Sequence, residues 1–118
     1  MGASFKDLVV WQHAVQLSIE VYQLTASFPA SEQFGLSNQL RRASVSIASN
    51  IAEGYGRTTR GEYLQFLGQA RGSLCELQTQ LVIASALGFG ESKALNSSEG
   101  HSADVSRLLI ALMKKLRN

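Results

Sequence analysis

The sequence predicts an all-α fold, an up-down-up-down antiparallel four-helix bundle. Three observations carry that prediction. Apolar residues recur at spacings of three and four in four separate stretches, the rhythm of one helix face. No stretch alternates apolar and polar residues as a half-buried strand does. Turn signals interrupt every stripe, and short connections require consecutive helices to lie antiparallel, not to continue as a rod. The 118 residues make one domain, 1–118, with room for a single core.

The first helix is expected from about Phe5 to Ser27. Val10, Ala14, Leu17, Val21, Leu24 and Phe28 form its stripe, widened by Trp11, Val15 and Tyr22. Pro29 ends it, because proline disfavours helical geometry in the residue before it. The second helix is expected from about Phe34 to Tyr55, with Leu36, Leu40, Ala43, Ile47 and Ile51 facing inward. Gly54 and Gly56 are read as its stop residues.

Thr59-Arg60-Gly61-Glu62 matches a capping box, in which the Thr and Glu side chains reciprocally satisfy free backbone N–H groups, so the third helix starts there. Its stripe is the cleanest in the chain: Tyr63, Leu67, Ala70, Leu74, Leu77, Leu81 and Ala84, stopped by Gly88-Phe89-Gly90. The fourth helix is strongest over Val105, Leu109, Leu112 and Leu116, with Leu108 and Met113 alongside. Its start stays open between Ser92 and Ser102, because the segment Asn96 to His101 is polar and contains a glycine.

The third helix carries a second stripe of Gly61, Gln65, Gly68, Gly72, Cys75, Thr79, Val82 and Ala86. At ~100° per residue it lies roughly opposite the leucines. A solvent-facing helix surface is normally rich in charge, and this one has none. Each glycine costs about 1 kcal/mol relative to alanine. Small uncharged residues let another backbone approach, so Gly61, Gly68, Gly72, Cys75 and Thr79 are expected at an interface between copies of the chain.

Composition narrows the function classes. Eleven basic against nine acidic residues give a net charge of +2, compatible with a local basic patch. One cysteine, Cys75, excludes an intrachain disulfide framework and fits a reducing, cytoplasmic setting. No apolar run approaches the ~20 residues of a membrane span, and the first residues lack the features of a secretory signal. Di-metal bundles need Glu-x-x-His pairs, but Val10 and Ser98 stand three residues before His13 and His101. Gly54-Tyr55-Gly56 lacks the ending of a phosphate loop. No metal or other cofactor is implied, and no acid, base or nucleophile cluster points to an enzyme.

Two polar groupings remain. Asn50 and Glu53 of the second helix should face Arg71 and Ser73 of the third, in a hydrogen-bond network that fixes helix register. A pocket for a small polar ligand is the alternative reading of those four. Arg41 and Arg42 form a basic pair, Arg57 and Arg60 flank a turn, and Lys114, Lys115 and Arg117 close the chain.

Ordered motifs run along nearly the whole chain: Phe5-x-x-Leu8-x-x-Trp11-x-x-Ala14, Phe28-Pro29-x-x-Glu32-x-Phe34-Gly35-Leu36 and Gln39-Leu40-Arg41-Arg42-Ala43. They continue as Ser46-Ile47-x-x-Asn50-Ile51-Ala52-Glu53-Gly54, Arg57, Ala70-Arg71-Gly72-Ser73-Leu74-x-Glu76-Leu77 and Gln80-Leu81. With these motifs the chain resembles the 23S rRNA intervening-sequence protein family. The resemblance implies a four-helix bundle assembled as a homopentamer. The family is similar in turn to the accessory variability determinant of diversity-generating retroelements, a basic pentamer that binds a reverse transcriptase and nucleic acid. Two functions of different class follow. One is a nucleic-acid or ribonucleoprotein accessory factor, holding phosphates of RNA or DNA with Arg41, Arg42, Arg57, Arg60, Lys114, Lys115 and Arg117. The other is a structural or protein-interaction scaffold. Convergence of those cations on one face is what separates them.

Overall fold

A computed structural model describes residues 3–118, folded as four α-helices: α1 (Val9–Thr25), α2 (Leu36–Tyr55), α3 (Arg60–Ala86) and α4 (Ser92–Arg117). Short 3-10 turns over Phe5–Asp7 and Ala30–Glu32 precede α1 and α2. Each helix packs on two neighbours, α1 on α2 and α4, and α3 on α2 and α4, while diagonal helices bring no Cα atoms within 8 Å of each other among the described residues. Cross-helix pairs give the directions. Thr25 meets Arg41 and Ser18 meets Ser44. Gln39 meets Gln80 and Ser46 meets Ser73, and His13 meets His101 while Glu20 meets Ser97. In each seam one number rises as the other falls, so the helices alternate up and down around a body of 44 × 24 × 22 Å.

The core is the expected set of stripes except that Tyr63, Leu112 and Leu116 are only half-buried, and Leu95 joins it. Leu17, Leu40, Ile47, Ile51, Leu67, Leu74, Leu77, Leu81 and Leu109 are the largest side chains wholly removed from water. Each such burial is worth about 1.5–3 kcal/mol.

The helix ends differ from expectation where local hydrogen bonds decide them. Phe5 belongs to a 3-10 turn, not to α1, because Ser4 Oγ accepts the Lys6 N–H at 3.1 Å and Asp7 Oδ2 accepts that of Ser4 at 3.0 Å. Leu8 is then extended before α1 begins. At the other end Thr25 closes α1, two residues before Ser27. α2 starts at Leu36, not Phe34, where Glu32 Oε1 accepts the Leu36 N–H at 3.0 Å. The Thr59 hydroxyl caps α3 by accepting the Glu62 N–H at 3.1 Å. Glu62 returns to the Thr59 hydroxyl at 3.2 Å, leaving the reciprocal half of the expected box unmade.

Gly54 does not stop α2. It lies inside the helix, where an added Cβ would stand 2.9 Å from the Phe66 Cβ, so its role is close approach of α2 to α3. Gly56 caps α2 in a right-handed conformation, and only Gly88 and Gly90 adopt positive φ among the described residues. α4 is continuous from Ser92, settling the open boundary. Its buried face runs Leu95, Ser98, Ser102, Val105, Leu109 and Met113. That phase puts Met113 in the seat expected of Leu112, and Leu112 and Leu116 are half-buried.

Candidate functional site

Alternation of the helices sets the electrostatics. α2 and α4 end where α1 and α3 begin, so Arg57, Arg60, Lys114, Lys115 and Arg117 occupy one end of the bundle, with Lys6 of the first 3-10 turn. Asp7, Glu53 and Glu62 are the acidic residues of those terminal turns. Asp7 accepts the Ser4 N–H and Glu62 the Thr59 hydroxyl, and among the described residues Glu53 is the one carboxylate in an ion pair there, 3.6 Å from Arg57. That pair is open to water, a setting in which ion pairs contribute only about 0–1 kcal/mol. The Arg57 guanidinium also lies over the Phe66 ring at 4.4 Å, with the side chain still 44% exposed. Lys114, Lys115 and Arg117 lie in the last turn of α4, where cations complement the helix dipole.

Arg41 and Arg42 are elsewhere, in the half of α2 nearer its start. Arg41 Nε donates to Thr25 Oγ1 at 2.8 Å and its guanidinium stacks over Tyr22 at 4.7 Å, tying α2 to α1. Arg42 is exposed beside Gln39, Glu76 and Gln80, in a depression of about 290 Å³.

The polar four divide. Asn50 Nδ2 donates to the Ser46 carbonyl at 2.9 Å and to Ser46 Oγ at 3.0 Å, and Ser46 Oγ pairs with Ser73 Oγ at 2.8 Å. Asn50 and Ser73 are thus joined through Ser46. Glu53 and Arg71 face solvent instead, since both lie off the inward stripes of their helices. Nearby, burial raises the Tyr63 phenol above its usual range, with a further push from Tyr55, whose ring stands 6.1 Å away. On the far face of α3, Gly61, Gly68, Gly72, Cys75 and Thr79 are all exposed on the single chain, and a Cβ built on any of the three glycines meets nothing within 4 Å.

One cluster escapes the reading of single helices. His13 and His101, far apart in sequence, meet across the α1/α4 seam with Glu20 beside them. Spacing within either helix gives no sign of it, whereas laying α1 antiparallel to α4 brings the two together. No group of three His, Cys, Asp or Glu side chains is arranged to hold a metal ion among the described residues. The imidazoles and the carboxylate run in series, not toward a common point. No helix is long and apolar enough to cross a membrane among the described residues.

Comparison with known proteins agrees with this architecture. A crystal structure at 1.70 Å of a protein with unknown function from the S23 ribosomal protein family of Bacteroides thetaiotaomicron VPI-5482 is similar, with a TM-score of 0.80 and 21% identity. The likeness covers 90% of this chain and 99% of that one, and at this identity it is a likeness of fold. No curated protein matches the sequence. The model of the family described as 23S rRNA-intervening sequence protein matches residues 6–111, and the chain belongs to that family.

Proposed function

We propose that this chain is a non-enzymatic accessory factor that assembles as a homopentamer and holds the phosphates of nucleic acid, free or in a ribonucleoprotein, at one end of its bundle. The observation that carries the reading is the shared location of Arg57, Arg60, Lys114, Lys115 and Arg117, which the end of α2, the start of α3 and the end of α4 bring together. The uncharged face of α3, with Gly61, Gly68, Gly72, Cys75 and Thr79, is the surface on which copies meet. Cyclic symmetry repeats every feature in each subunit, so five copies of the +2 chain carry about +10. Such an assembly binds weakly, tolerates sequence changes and releases its ligand as salt rises.

A salt titration of binding to structured RNA tests this. Log affinity should fall linearly with log salt concentration. The double variant Arg57→Gln/Arg60→Gln should weaken binding and reduce the slope by roughly one for each phosphate no longer neutralised. Arg41→Gln should leave the slope unchanged, since that residue lies in the first half of α2, away from the basic end. Absence of binding to RNA and single-stranded DNA at low salt would overturn the reading in favour of a scaffold.

A further inference from the structure

The seam between α1 and α4 holds two imidazoles in direct contact. His13 Nδ1 lies 3.2 Å from His101 Nε2, with the rings nearly perpendicular at 78°. His101 Nδ1 lies 2.5 Å from Glu20 Oε2, and Glu20 Oε1 accepts the Ser97 hydroxyl at 3.2 Å. The side chains of His101 and Glu20 are only 15% and 23% exposed, so water competes poorly for these bonds.

Hydrogen-bond capacity fixes the proton positions. An ionised carboxylate only accepts, so the nitrogen facing Glu20 carries a proton. The other nitrogen of a neutral His101 then only accepts, and His13 Nδ1 must donate to it. One added proton could sit on His13 Nε2 with every bond unchanged, but the charge is better placed on His101 beside the Glu20 carboxylate, which reverses the middle bond. His101 becomes an imidazolium donating to Glu20 on one side and to His13 on the other, while His13 shifts its own proton to Nε2. Every bond survives, and the single positive charge faces a single negative one.

A second proton has no such solution. His13 Nδ1 becomes a donor aimed at a donor, and two cations stand side by side against one carboxylate. No other charged side chain bonds to the trio among the described residues, although Glu91 lines the cleft beside Glu20 and Glu99 precedes His101 on α4. On α1 the neighbours Gln12 and Gln16 are neutral. On α4, Asp104, one turn beyond His101, is paired with Arg107. On α2, Arg41 is held by Tyr22 and Thr25, and Glu53 pairs with Arg57. Arg71 and Glu76 of α3, like the remaining charges of α2 and α3, make no bond to the trio.

We propose that Glu20, His101 and His13 form a proton-operated latch between the first and last helices, closed with no proton or one added and released by two. Acidification then loosens the α1/α4 seam first. The α2/α3 pair stays closed, since its contacts at Gly54 and Ser46 contain no imidazole or carboxylate.

Amide hydrogen exchange at about pH 7.5 and about pH 5, corrected for intrinsic rates, tests the latch. In the wild type, protection of α1 and α4 should fall at least about tenfold relative to α2 and α3 at the lower pH. His13→Gln should abolish that difference, because the amide stays neutral and can both donate and accept. An equal fall in His13→Gln, or an equal change in all four helices, would overturn the proposal. Should that variant fail to fold, imidazole ¹⁵N shifts of the wild type decide. The latch requires both rings to carry the proton on Nδ1 at the higher pH, and His13 to move it to Nε2 on first protonation. Tautomers that never change would rule it out.

Discussion

A methyl group added at Gly54 would meet Phe66 Cβ at 2.9 Å and Tyr63 Cδ1 at 3.1 Å, whereas one added at Gly100 would meet nothing within 4 Å. Identical substitutions should therefore have opposite signs. Gly54→Ala is expected to destabilise the fold by about 1–3 kcal/mol through overpacking. Gly100→Ala, in the interior of α4, should stabilise it by about 1 kcal/mol through helix propensity. Urea unfolding at fixed protein concentration reads both. The same measurement separates the polar residues. Asn50→Ala should cost about 1–3 kcal/mol, because it strips partners from half-buried Ser46, and Glu53→Ala less than about 0.5 kcal/mol. Sequence alone could not rank them. Asn50 and Glu53 sit one turn apart, and only the placement of Ser46 against Ser73 tells which is bound.

The helices themselves were legible in proportion to how apolar their inward seats are. α3 fills six of its seven buried seats with Leu or Ala, all of them in the expected stripe, which missed buried Gln80 and counted half-buried Tyr63. α4 was not, because two of its six inward seats hold serine. Ser102 is accommodated by donating to the Glu99 carbonyl at 2.8 Å and accepting from Gln78 at 3.3 Å. Ser98 Oγ is buried with no partner. A hydroxyl removed from water without a hydrogen bond is a net cost, and alanine is the better helix former. Ser98→Ala is therefore expected to raise stability by about 0.5–1 kcal/mol, seen as a higher thermal midpoint. The ends of α1 and α2 depart from the hydropathy pattern for a different reason. Ser4, Asp7 and Glu32 bind backbone N–H groups there, and hydropathy carries no trace of such bonds.

For the whole molecule, the decisive property is where helices end. Arg57 and Lys114 are remote in sequence, and a net charge of +2 gave no hint that one end of the bundle gathers the cations. Assembly is the prediction at this scale. Gly68→Glu or Gly72→Glu should leave helix content intact by circular dichroism and reduce the sedimenting species to a single chain. A wild-type chain that already sediments alone at micromolar concentration would remove the basis for the pentamer. The closed circuit of helix contacts has one more outcome. The start of α1 lies against the end of α4, with Val9 and Val10 beside Leu112 and Lys115. Four helices in a ring of neighbours have no intrinsic first or last member. A circular permutant that links α4 to α1 through a short flexible segment and opens at residues 87–91 should reach the same bundle. Its folding order would change while its native packing did not, because every seam joins helices that the new chain would still place side by side.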